Sequence, residues 1–131
     1  MNTTKTISNQ DDTIDSRDVI ARIEEIYGHA DSDGHIEPNA MNELLHLERL
    51  AIEGADYSSD WEYGAQLIKD DYFTSYIKQL IKDCYEMPEG LKSGQWPYHH
   101  MKMDYEAAAE EAKQDYTTVS FDGVDYWIRS A

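Results

Sequence analysis

The sequence predicts a mainly α-helical protein of mixed α+β class: four to five helices and a C-terminal β-hairpin in a single domain. Three observations carry that expectation. Apolar residues recur at three- and four-residue intervals through most of residues 16–116, the spacing of one helix face. Asp122-Gly123 lies between two short stretches, 117–121 and 124–128, that alternate apolar and polar residues, a strong hairpin pattern. The 131 residues suffice for one core, whereas two domains would each approach the size that needs extra staples.

Residues 1–15 are polar and aperiodic and read as a flexible arm, leaving residues 16–131 as one acidic globular domain. Asp15-Ser16 offers caps for a first helix ending near Tyr27, with Val19, Ile20, Ile23, Ile26 and Tyr27 on one face. Asp18 sits in its first turn, where the helix dipole favours an anion. Residues 28–35 are a loop. Pro38 suits the first turn of a second helix, expected to run to about Ala55 and to bury Met41, Leu44, Leu45, Ile52 and one of Leu47 and Ala51. Gly54 marks its end. Ser58-Ser59-Asp60 caps a third helix over residues 61–69, weakened by Gly64. A fourth covers 71–85, with Phe73, Tyr76, Ile77, Leu80, Ile81 and Cys84 on one face, so Cys84 reads as a buried, inert thiol. Residues 87–97 are a long loop. Asp104 caps a fifth helix with Tyr105, Ala108, Ala109, Ala112 and Tyr116 inward. The hairpin follows. Alone it is marginal in water, so it needs a packing partner that the sequence does not locate.

Charge is the loudest feature. The 27 Asp and Glu against 11 Lys and Arg leave a net charge of −16. Duplex DNA carries one charge per ~1.7 Å, so sixteen charges equal about 27 Å of duplex, in a domain roughly 35–40 Å across. Solubility needs a magnitude of only ~2–8, and like charge destabilises the compact state. Such a chain does not bind bare nucleic acid or an anionic membrane surface electrostatically. Ten Tyr, three Trp and two Phe argue against wholesale disorder. They fill a core and its rim; without a basic cluster they do not make a single-strand stacking groove. One cysteine, no apolar leader and no run near ~18 apolar residues fit a cytoplasmic protein.

Site chemistry is sparse. Residues 29–40 are faintly like a calcium loop around Gly34, but His29 and Ala40 stand where the first and twelfth ligands belong. His29, His35, His46, His99 and His100 form no standard metal spacing, and His99 and His100 would point opposite ways in extended chain. No phosphate loop, nucleophile elbow or Cys-His pattern is present. The expectation is therefore no enzyme, no metal and no cofactor. The carboxylates remain: Glu106 and Glu110, and Glu111 and Asp115, each four apart on the fifth helix, with Asp60, Glu62, Asp70 and Asp71 adding density. Four residues of helix rise about 6 Å, comparable to the phosphate spacing along one strand.

Residues 67–76 (LIKDDYFTSY), Trp96-Pro97, residues 104–109 (DYEAAA) and residues 115–119 (DYTTV) resemble small acidic phage and prophage proteins. Residues 67–129 are more distantly similar to the C-terminal part of ArdA-type antirestriction proteins, in which a comparable helix precedes a terminal strand pair. The resemblance implies a DNA mimic that occupies the DNA-binding groove of a restriction, CRISPR or related enzyme complex in a bacterial host cell; the reading of the charge itself puts the contact on Asp60, Glu62, Asp70, Asp71, Glu106, Glu110, Glu111 and Asp115. That family is also dimeric, so a homodimer stays open. The chain is shorter than ArdA proteins and its N-terminal half does not match them. The alternative reading is an acidic adaptor or phage accessory protein whose contacts with its protein partner are apolar.

Overall fold

The hairpin forms around its turn. Asp122 and Gly123 take φ of 48° and 81°, the left-handed pair of a type I′ turn, whose twist matches that of the flanking strands. In the computed structural model, which describes residues 6–85, 89 and 93–130, the flanking strands β3 (Tyr116–Phe121) and β4 (Val124–Arg129) pair from Tyr116↔Arg129 to Phe121↔Val124.

The hairpin's missing partner is supplied by two short strands, and both overturn an expectation. β1 (Thr13–Asp15) and β2 (Gln66–Lys69) complete a four-stranded antiparallel sheet of order β1-β2-β4-β3. The arm expected over residues 1–15 therefore does not extend to residue 15. Ile14 is buried, Ile7 packs against the core, and the Tyr126 hydroxyl donates to the Asp11 carbonyl at 2.6 Å. One isolated apolar residue in a polar stretch shows no period, which is why the strand was invisible in sequence. The third helix expected over 61–69 is also corrected. It stops as α3 (Trp61–Gly64) because Gly64 has φ 120°, and the chain turns extended at Ala65. Leu67 then faces Ile14 on one side and Ile128 on the other.

α1 (Ser16–Gly28) starts at an Asp15 cap that accepts from Arg17 N–H. Ser16, fully buried, ties this start to the far end of α3. Its hydroxyl donates to Trp61 O at 2.6 Å and accepts from Ala65 N–H at 2.7 Å, and its own N–H donates to Ala65 O at 2.9 Å. α2 (Pro38–Tyr57) is capped by the Glu37 side chain and buries Leu44, Leu47, Leu50 and Gly54. The inward face expected for it is rotated: Met41, Leu45 and Ile52 are 40%, 48% and 73% exposed. The buried stripe faces α1 and the sheet, and period alone did not choose between two apolar stripes on one helix. Gly54 is not the helix end; it lies against the Trp61 ring. Tyr27, expected inward on α1, is half exposed. The core is Ile14, Val19, Ile26, Leu44, Leu47, Leu50, Trp61, Ala65, Leu67, Val119, Phe121, Tyr126 and Ile128. β3 lies at the sheet edge, where the Ser120 N–H donates to the Glu53 carboxylate of α2 at 3.2 Å, so this edge donor is satisfied within the chain.

Within the chain, contacts group residues 1–70 with 115–131 into one compact unit and residues 71–114 into another. The second is inserted between β2 and β3. It contains α4 (Phe73–Cys84) and α5 (Tyr105–Ala112), which pack on each other. Lys78 Nζ lies 5.2 Å from the Tyr105 ring centre and Lys113 Nζ 5.9 Å from that of Phe73. Phe73, Ile77 and Ala109 are buried; Leu80 and Cys84 are exposed, so the buried thiol expected from the helix period is corrected. α4 places both near its C-terminal end, past its two buried positions.

Candidate functional site

The carboxylates distribute unevenly. Residues 1–70 and 115–131 hold 19 carboxylates against six Lys and Arg, a net of −13; residues 71–114 hold eight against five, a net of −3. None of the described Asp or Glu residues is buried. Thirteen charges equal about 22 Å of duplex.

Many of these acids also organise the backbone. Asp15, Glu37 and Asp104 cap α1, α2 and α5. Asp31 accepts from the N–H groups of Asp33 and His35 at 2.9 and 2.8 Å. Glu43 receives a two-point bond from Arg22, at 2.6 and 3.0 Å, and raises the guanidinium above its ordinary value by accepting it. Arg17 lowers the Asp15 carboxyl, chiefly through a side-chain hydrogen bond. Glu48 accepts from the Tyr27 hydroxyl at 3.1 Å and thereby raises that phenol's pKa.

The eight carboxylates expected to face a partner are all exposed. Asp60, Glu62, Asp70 and Asp115 belong to the first unit; Asp71, Glu106, Glu110 and Glu111 belong to the second. Asp70 is engaged locally, accepting from the Trp127 indole N–H at 2.7 Å, and Glu110 pairs with Lys113 at 2.8 Å. Among the described residues the side chains of Asp60, Glu62, Glu106, Glu111 and Asp115 make no such bond. Of the face singled out by spacing, Glu106, Glu110 and Glu111 thus lie on α5 in the unit with the smaller charge excess, whereas Asp115 lies past the end of α5, in a 3-10 turn that opens the other unit's hairpin. Sequence reasoning missed the concentration on the other unit because it counted charge over one domain.

A polar cleft of about 250 Å³ opens in the first unit, lined by Asn9, Asn39, Asn42, Glu43, His46 and Asp122 among others. His46 Nε2 lies 3.4 Å from Asp122 Oδ1, and Asn9 donates to Asp122 O at 3.1 Å. Ser8 shares the cleft, but its hydroxyl closes a turn by accepting from Gln10 N–H at 3.1 Å, and among the described residues no bond joins it to His46. The cleft arises where the 7–9 segment meets α2 and the hairpin turn, a junction no local motif announces. Asp31, Asp33 and His35 bring one ligand atom each within 4.8 Å of one another, all on exposed side chains. Among the described residues no helix is long and apolar enough to cross a membrane.

No protein-family model, curated protein or solved structure matches the chain.

Proposed function

We propose that this protein is an acidic inhibitor that imitates the charge of DNA, presenting carboxylates to the DNA-binding groove of a defence enzyme of restriction or CRISPR type. The observation that carries this reading is the concentration of charge: 19 carboxylates against six cations in one unit, with none of the described acids buried. A basic groove evolved for phosphates attracts such a surface at long range, speeding encounter. The resemblance of residues 67–129 to antirestriction proteins supports the same class of target and a bacterial cytoplasm as the setting. No catalytic group, metal or cofactor is needed for occlusion.

The eight carboxylates named from sequence remain proposed contacts, four on each unit, with the weight moved to Asp60, Glu62 and Asp115. The experiment compares two variants in a restriction or CRISPR nuclease inhibition assay. One carries Asp60→Asn, Glu62→Gln and Asp115→Asn; the other carries Glu106→Gln, Glu110→Gln and Glu111→Gln. Inhibition falls in both and more in the first, weakens steeply with ionic strength, and is competed by duplex DNA. Undiminished, salt-insensitive inhibition by both variants would exclude distributed mimicry.

One observation favours the adaptor reading. Met41, Leu45 and Ile52 form an exposed apolar stripe along α2, of the kind that serves apolar protein contacts. Loss of partner binding in Leu45→Asp/Ile52→Asp, without loss in the charge variants, would establish it.

A further inference from the structure

We propose that the polar cleft of the first unit binds a small uncharged polyhydroxyl ligand, of the size and chemistry of one monosaccharide. Its walls come from three places in the chain: the 7–9 segment, one face of α2 and the hairpin turn. The sequence has only four asparagines, and three of them, Asn9, Asn39 and Asn42, meet here. Asn39, Asn42 and His46 follow at three- and four-residue intervals and so share one stripe of α2. The fold alone brings Asn9 and Asp122 to them, and Asn9 is tied to the turn by its bond to Asp122 O at 3.1 Å.

The class of ligand follows from the groups present. Among the described residues that line the cleft none is Lys or Arg, and the unit carries a net charge of −13, which disfavours an anion. A cation finds little more. Glu43 already holds Arg22 at two points, 2.6 and 3.0 Å, which leaves the single carboxylate of Asp122, 3.4 Å from the His46 imidazole. The amides of Asn39 and Asn42 bond to no protein group among the described residues. Each amide both donates and accepts, a neutral imidazole has one nitrogen of each kind, and the Asp122 carboxylate accepts. Hydroxyl groups also donate and accept, so a polyol matches this mixed set, whereas an ammonium group offers donors alone. Buried Phe121 and half-buried Ile7 add an apolar wall, which suits the C–H face of a sugar ring and gives nothing to a hydrated ion. The volume of about 250 Å³ lies below the ~300–1,000 Å³ of sites for drug-sized ligands, which sets the size at one ring.

The test follows the side-chain amide signals of the isotope-labelled full-length protein by two-dimensional NMR. Methyl α-glucoside, methyl α-galactoside and methyl α-mannoside are added in turn, with putrescine and inorganic phosphate as the cationic and anionic probes. At least one sugar should shift the Asn9, Asn39 and Asn42 signals along one saturating curve, and neither charged probe should. Asn39→Ala/Asn42→Ala, read from the Asn9 signal, should weaken that sugar at least about tenfold, with unchanged far-ultraviolet circular dichroism because neither amide bonds within the fold. Gln114→Ala, in the 71–114 unit, should bind as wild type. The proposal is overturned if no sugar saturates, if putrescine saturates in its place, or if the double variant binds the sugar as tightly as wild type.

Discussion

Replacing Ser16 by Ala removes one oxygen atom and should destabilise the protein more than most single surface changes. The hydroxyl is fully buried and serves two backbone groups at once: the Trp61 carbonyl at 2.6 Å and the Ala65 N–H at 2.7 Å. Each buried polar group left without a partner costs about 1–3 kcal/mol, so the two together imply a loss of roughly 2–6 kcal/mol. Ser58 provides the internal comparison. It too is buried, but among the described residues its hydroxyl only accepts a 3.3 Å bond from Asp60 N–H. Ser58→Ala should cost about 0.5–1.5 kcal/mol, the net worth of one ordinary hydrogen bond. Urea unfolding followed by circular dichroism measures both, with the denaturant slope unchanged if only the native state is affected. The cost for Ser16→Ala should clearly exceed that for Ser58→Ala. If Ser16→Ala costs under about 1 kcal/mol, or less than Ser58→Ala, the hydroxyl is not what joins β1 and α1 to the α3–β2 link.

Gly123→Val places a β-branched residue at φ 81° and should lower the melting temperature; an unchanged melting curve would contradict the turn assignment. Gly54→Ala should destabilise despite the ~1 kcal/mol that alanine gains in a helix, because its Cβ would collide with the Trp61 ring at Cζ3. Trp61→Phe, which removes that part of the ring, should reduce or reverse the penalty in a double-mutant cycle. The Asp15 carboxyl is lowered from 3.8 by its bond to Arg17, so its stabilising share is full above that value and is lost as pH falls through the folded-state value. The stability difference between wild type and Asp15→Asn should be flat above about pH 5 and shrink below about pH 4, as read by urea midpoints. Duplex and single-stranded DNA should show no sub-micromolar binding in a gel shift at physiological salt, since like charges repel. Detected binding would contradict the charge argument.

The sequence by itself determined what depends on near neighbours and on totals. Asp122-Gly123 specified its turn because both residues tolerate the left-handed conformation that a type I′ hairpin turn needs, and Asp104 specified the start of α5 because its carboxylate reaches an N–H three residues on. Pro38 placed the start of α2 for a similarly local reason. The net charge needed no structure. Tertiary structure alone decided which of two apolar stripes on α2 is buried, because both satisfy the helical period and only the neighbours α1 and the sheet distinguish them. It alone made strands of Thr13–Asp15 and Gln66–Lys69. Each is too short to show alternation, and each is stabilised by hydrogen bonds to residues distant in sequence. It separated the carboxylates into a dense and a sparse unit, since charge density depends on which segments fold together. It also turned His99 and His100 to one side, because side-chain direction follows the backbone, and the backbone of that segment is a 3-10 turn rather than a strand.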